Sequence, residues 1–343
     1  MGNLNTYKIP FIALILLLVI CFIANISLGS VHIPLKDVFN SLIGIKTQQD
    51  SWQHIVLNYR LPKAITAILV GSGLGISGLL MQTLFRNPLA GPFVLGISSG
   101  ASLGVALIIL GSSLFGGLLT TILLSKWSIV IAASSGSFLV LMAVLITSLK
   151  VRDTMAILII GLMFASITAA IVSILSYFGS AQQLQQYIFW GFGSLGNLSW
   201  NELLIFSLIY SSGLLLTIAS IKSLNTLLLG QNYAKSLGLN IKKSRLAIIL
   251  STSLLAGTIT AFAGPIAFIG LAIPHLTRQV FNTSNHKILL PAVFLIGAIV
   301  LLICDSIAQI PNSDYTLPIN AITSLIGAPV VIWLLVRKRK MMF

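Results

Sequence analysis

Residues 222–245 read KSLNTLLLGQNYAKSLGLNIKKSR, a basic, helix-compatible segment set between long apolar runs at 202–221 and 244–262. Apolar runs of spanning length on either side of a cationic interruption are the pattern of a chain that crosses a bilayer repeatedly. Within the segment, Ala234, Leu237 and Gly238 stand in the order A-x-x-L-G. Ala234 and Leu237 are three apart and share a helical face, and Gly238 is placed to end that short helix as its C-cap. A small apolar face, a glycine stop and flanking cations suit a groove on a soluble partner. Cytoplasmic loops are basic as a rule, so the segment alone does not decide between a docking surface and an ordinary loop.

The rest of the chain carries the same alternation. Of 343 residues, 57% are hydrophobic and 8% charged, and the mean hydropathy is +1.03, far from the balance of a soluble domain. This is an integral membrane protein. Its net charge of +14 falls in short clusters between apolar runs rather than in one patch, so it sets topology and does not indicate nucleic acid. Cys21 and Cys304 both lie in or beside apolar runs, where they pack in the membrane and give no disulfide signal.

Runs of spanning length occur near 9–29, 61–84, 92–112, 127–149, 154–178, 202–221, 244–262, 266–281, 288–310 and 317–336. The reading is an all-α polytopic protein of about ten transmembrane helices, with both termini cytoplasmic. The first run is longer than a signal-peptide core and reads as an uncleaved helix. Residues 113–124 remain apolar, which leaves the third boundary open, and the eighth run, opened by Gly264-Pro265 and broken by Pro274, reads as short and irregular. Placing the segments around 8, 86, 150–152, 222–245, 278–287 and 337–340 in the cytoplasm leaves only Lys36, Lys46, Arg60, Lys63 and Lys126 of the 20 Lys and Arg outside. Asp37, Asp50, Glu202, Asp305 and Asp314 fall on or near that outer face, with Asp153 inside. That bias supports the even helix count independently of hydropathy.

Chemistry-bearing constellations are lacking. His32, His54, His275 and His286 are scattered without ligand spacing, so no metal site is read. There is no Walker A sequence and no serine with a His/Asp pair. No span carries an unambiguous charge at its centre, which counts against a proton- or ion-coupled secondary transporter of a small organic solute, the alternative class. Gly71, Gly75 and Gly78, then Gly96, Gly100 and Gly104, are spaced as helix-packing glycines. On the outer side, 30–60 contains the amphipathic VHIPLKDVFNSL, and 179–201 is polar with tryptophans at 190 and 200. Arg60 and Lys63 are one turn apart beside Pro62, which is suited to a helix's first turn.

Four stretches in order resemble the iron-chelate uptake permeases, the FecCD family. Arg60-Leu61-Pro62-Lys63 leads into a run with Ser77-Gly78, Gln82, Arg86-Asn87-Pro88-Leu89-Ala90, Pro92 and Leu95-Gly96. Trp190-Gly191-Phe192-Gly193-Ser194-Leu195 is similar to the family's W-x-x-G-S-L, and Ala234-x-x-Leu237-Gly238 is followed by GPIAFIGLAIPHLTR from Gly264 to Arg278. Leu317-Pro318 with Thr323, Gly327, Ala328 and Pro329 closes the set, so the likeness covers essentially the whole chain.

The resemblance implies one transmembrane permease domain over 1–343, of the type II ABC importer kind, in the cytoplasmic (inner) membrane of a bacterium. It implies import of ferric siderophores, haem or cobalamin, with no cofactor and no enzyme activity in this chain. The implied partners are two copies of a separate ATPase subunit, an extracytoplasmic substrate-binding protein, a second permease copy and membrane lipid. Residue by residue, Ala234, Leu237 and Gly238 in 222–245 would couple to the ATPase. Asn87, Leu89 and Thr154 would form part of an inner gate, Met155 beside Thr154 replacing a small polar residue of some relatives. Arg60 and Lys63 would receive acidic residues of the binding protein. The sequence departs from the pattern at Lys63, where many members have arginine, at Thr316, where glutamate commonly precedes Leu-Pro, and at Gln309, where some place a basic residue. Those departures bear on the docking charges and leave the fold expectation intact.

Overall fold

The computed structural model describes residues 7–114, 122, 124–151, 154–309 and 315–336. The basic run at 337–340, together with Asp153 and Asp314, lies outside the described residues. Regular structure among the described residues is helical, with one isolated antiparallel bridge between Gln309 and Thr316. The helices are α1 (Lys8–Ser27), α2 (Leu35–Leu42), α3 (Asp50–Ile55), α4 (Leu61–Phe85), α5 (Ile97–Ile109), α6 (Lys126–Lys150), α7 (Thr154–Phe178) and α8 (Ala181–Gly191). Then come α9 (Trp200–Ala219), α10 (Ile221–Leu227), α11 (Gln231–Ser236), α12 (Ile241–Thr252), α13 (Thr258–Ala263), α14 (Ile269–Phe281), α15 (His286–Ala308) and α16 (Ile319–Val336).

Seven helical stretches of the described chain are long and apolar enough to cross a bilayer: Lys8–Ser27, Asp50–Phe85, Lys126–Thr147, Ala156–Phe178, Trp200–Ala219, Ile241–Ala263 and His286–Ala308. Two shorter apolar helices cover Ile97–Ser112 and Ile319–Trp333. Burial separates them by role. In the Asp50–Phe85 stretch 83% of the most apolar window is buried, against 11% for Lys8–Ser27 and 17% for Ala156–Phe178. Helices of the second kind turn most of their apolar surface outward, as lipid-facing helices do.

Contacts divide the chain into two compact units. The first comprises 1–76, 194–208 and 267–342. In it α15 packs against α1, α14 and α16, and Gly71 of α4 lies so close to Gly297 of α15 that a Cβ at 71 would stand 2.2 Å from the Gly297 carbonyl oxygen. The second unit comprises 77–193 and 209–266, and its densest packing is α5 on α6. There Gly100 and Gly104 allow backbone contact: a Cβ at 104 would sit 2.0 Å from the Ala132 carbonyl oxygen. Small residues are what permit this approach in lipid, where no hydrophobic driving force favours one helix contact over another. Gly104→Ala must therefore part the two helices and is expected to cost about 1–3 kcal/mol, read as a lower unfolding temperature in detergent. Gly111→Ala, whose added methyl would meet nothing within 4 Å among the described residues, is the control and should leave melting unchanged.

Two element boundaries differ from the sequence expectation. The second spanning helix does not start at Pro62. It runs from Asp50 through a π-helical turn at Val56–Arg60 into α4. Proline lacks the N–H that would reach the carbonyl four residues back and its ring crowds that carbonyl, and a π turn just before it absorbs the mismatch. The third run does not form helix from 92: Pro92–Leu95 is a 3₁₀ turn and Gly96 takes φ +75°, so α5 begins only at Ile97. The polar stretch after α7 forms α8, opened by a capping box in which Ser180 Oγ accepts from Gln183 N and Gln183 Oε1 accepts from Ser180 N, satisfying two terminal donors at once.

Candidate functional site

The basic segment after α9 folds as two short helices, α10 and α11, followed by α12. Gly230, at φ +100°, makes the corner between α10 and α11, a conformation only glycine adopts freely. Gly238, at φ +82°, ends α11. Leu239 N donates to Ala234 O at 3.0 Å and Gly238 N to Lys235 O at 2.9 Å, the paired bonds of a Schellman cap. Asn240 then caps α12 through its Oδ1, which accepts from Lys243 N at 3.0 Å. The turn chemistry of the A-x-x-L-G stretch is thus fully used.

The expectation that Ala234 and Leu237 present one face is corrected. Ala234 is fully buried, inside the chain's own packing, whereas Leu237 is 59% exposed. The outward apolar residues at α11 are Leu237 and Tyr233, the latter 57% exposed, and Leu229 in the turn before the Gly230 corner is 59% exposed. Tyr233 precedes Leu237 by four residues, and i, i+4 neighbours share a helix surface; Leu229 lies before the Gly230 corner, outside α11. The four-residue spacing of Tyr233 and Leu237 is legible in the sequence; that position 233 rather than 234 faces outward is not.

The RNPLA turn closes α4. Arg86 adopts φ +48°, Asn87 N donates to Gln82 O at 3.2 Å and Arg86 N to Thr83 O at 3.3 Å, so the helix ends in the same cap geometry with a non-glycine residue in the left-handed position. Asn87 Oδ1 accepts from Leu89 N at 2.9 Å, an Asx turn that holds the Asn-Pro corner. Leu89 is exposed and Ala90 buried. The Arg86 guanidinium reaches the corner glycine of the basic segment, 3.5 Å from where a Gly230 Cβ would stand. Thr154 opens α7, and its side chain lies outside the described residues.

Arg60 and Lys63 line one cavity of about 330 Å³ in the first unit, with Gly29, Tyr59, Gln309 and Thr316 among its walls. The expectation that both stand free to receive acids is corrected. Arg60 is buried and its Nη1 donates to Ile26 O at 3.0 Å and Ser27 O at 2.8 Å, while Nη2 donates to Val31 O. It satisfies carbonyls at the C-terminal end of α1 that have no partner within the helix. Gly29 leaves room for the guanidinium: a Cβ there would lie 2.7 Å from Arg60 Nη2. Lys63 Nζ is 3.1 Å from Asp305 Oδ1. Asp305 is buried, and its Oδ2 accepts from Asn25 Nδ2 at 2.9 Å and Gln309 Nε2 at 2.8 Å. Asn25 also donates to Leu302 O and Ser306 Oγ. Three helices, α1, α4 and α15, are tied at this point. Sequence reasoning placed Asp305 on the outer face but did not pair it, since partners 242 positions apart leave no local signature.

A polytopic all-helical chain with glycine-lined helix contacts, a short capped helix on a basic loop and a charged rim has the architecture of a transport permease. The chain belongs to the FecCD transport family, whose model matches residues 17–337, and it is an ABC importer permease. It is 35% identical to the hemin transport system permease protein HmuU of Yersinia pestis over 328 residues, which is 95% of each chain. It is 34% identical to the vitamin B12 import system permease protein BtuC of Klebsiella pneumoniae subsp. pneumoniae, over 95% of this chain and 93% of the relative. A solved chain described as an inward-facing metal-chelate type ABC transporter superposes with a TM-score of 0.82 at 31% identity, covering 97% of this chain and all of that one.

Proposed function

We propose that this permease imports a large chelate, a ferric siderophore, haem or cobalamin, across the cytoplasmic membrane of a bacterium, driven by a separate ATPase. The names of its relatives motivate the substrate class. In this reading ten helices cross the membrane, α5, α14 and α16 completing the set of seven longer spans, and both termini are cytoplasmic. Two permease copies assemble with two ATPase subunits inside and a substrate-binding protein outside.

The observation that carries the reading is the exposed Tyr233–Leu237 face at α11 of the basic segment. An apolar helical face flanked by cations on a soluble loop loses free energy in water and gains it in a complementary groove. Docking of the ATPase there moves the corner at Gly230, which is in reach of Arg86 and so of the RNPLA turn. Asn87 and Leu89, with Thr154, form part of the inner gate in this scheme, and ATP shifts the population between outward- and inward-open states through its differential binding. On the outside, the cavity rim with Arg60 and Lys63 meets the binding protein. Arg60 shapes the loop after α1, and Lys63, less buried, contributes charge that steers the encounter.

The test is uptake into proteoliposomes holding permease, ATPase and binding protein, with labelled haem, a ferric siderophore and cobalamin supplied separately. Accumulation of one of them that requires internal ATP is the expected result. Transport that persists without ATP, or without the ATPase subunit, would sink the reading.

A further inference from the structure

The second unit holds a larger cavity, about 700 Å³, at the end of α6 and around α11 and the start of α12. Lys235, Lys242 and Arg245 line it, and among the described lining residues none is acidic. Its apolar wall includes Leu145, Val151 and Leu246. Arg245 is held against that wall, its Nη1 donating to Val151 O at 3.4 Å. The cavity therefore has a cationic side and an aliphatic side.

Its position in the fold says what such a cavity meets. The spans Lys126–Thr147 and Ile241–Ala263 end and begin at its walls, so it opens at the boundary where hydrocarbon gives way to water. A bare phosphate would fill little of a space that could hold on the order of twenty waters at about 30 Å³ each. A phosphate carrying glycerol and the first methylenes of acyl chains uses both sides at once. Basic pockets between helices at a membrane boundary recognise anionic headgroups through this combination. We propose that the cavity is a binding site for the headgroup of an anionic phospholipid, with Lys235, Lys242 and Arg245 around the phosphate and Leu145 and Leu246 along the chains. Neither Tyr233 nor Leu237 lines the site, although Lys235 shares α11 with Tyr233, and the proposal does not depend on which substrate is imported.

The experiment uses the full chain in detergent micelles containing equal amounts of phosphatidylglycerol and phosphatidylcholine, with retained lipids counted by native mass spectrometry. Phosphatidylglycerol should be retained roughly a hundredfold over phosphatidylcholine, and Lys235→Gln with Lys242→Gln should lower that preference about twenty-five-fold, since each cation near an anionic lipid contributes about a fivefold factor. Both lysines are exposed, so the variant should elute as the parent does. Lys235→Arg with Lys242→Arg should restore the preference, which a folding defect would not allow. Equal retention of the two lipids, an unchanged preference in the glutamine variant, or displacement of phosphatidylglycerol by millimolar inorganic phosphate would each overturn the assignment, the last by showing a site for a free anion.

Discussion

Replacing Tyr233 and Leu237 together by aspartate should abolish co-purification of the ATPase with the permease and reduce uptake to background. Both side chains are more than half exposed, so the permease tolerates polar groups there and should still insert and elute as the parent does. In an apolar groove on a partner, each would leave a desolvated charge without a counter-ion. Two anchors of about 2 kcal/mol each amount to roughly a thousandfold in affinity. Ala234→Asp gives the contrasting result. That methyl is buried within the permease, and a carboxylate there has no room and no water, so the expected loss is of folded permease rather than of docking. Normal ATPase association in the Tyr233/Leu237 variant would return the basic segment to the role of an ordinary loop.

The contrast between positions 233 and 234 shows which parts of this protein the sequence encodes locally. Apolar runs, caps and corners are local: Gly238 as a stop, Pro274 in a short α14, and the basic loops were all visible from spacing. Phe268 at φ +64° just before α14 accompanies the irregular start that Gly264-Pro265 suggested. Direction is not local. Three-residue spacing puts Ala234 and Leu237 within one arc of a helix, yet which edge of that arc is buried depends on neighbours supplied by tertiary packing. Arg60 is the sharper case. Its spacing from Lys63 suggested two cations facing outward together, but a side chain that long reaches back to whatever acceptors the fold leaves open, here carbonyls at the end of α1. Pro62 suits a helix's first turn, yet it falls in a helix already under way, which accommodates proline with a π turn. The family resemblance points to both stretches as candidate surfaces, whereas the inward or outward assignment of individual side chains comes only with the packing.

Asp305→Ala should be the most destabilising single substitution among the groups around Lys63, at about 3 kcal/mol. It removes the partner of Lys63 and, at the same stroke, the acceptor shared by Asn25 and Gln309. Asn25 retains Leu302 O and Ser306 Oγ, so its loss is partial. Gln309 sits in the backbone bridge to Thr316, and freeing its amide loosens the connection into α16. Lys63→Met should cost less, near 2 kcal/mol, because two amide donors still serve the carboxylate. The double variant Lys63→Met with Asp305→Leu leaves no unpaired charge in place and replaces the pair by apolar groups, so its cost should fall well below the sum of the two single costs. Thermal unfolding in detergent measures all three. Additivity to within about 0.5 kcal/mol would mean that the bridge contributes nothing as a pair. The same set reports on docking: if Lys63 is shared between Asp305 and an acidic group on the binding protein, Asp305→Ala in a stabilised background should free it and strengthen docking at low salt, and the gain should fade as salt screens it.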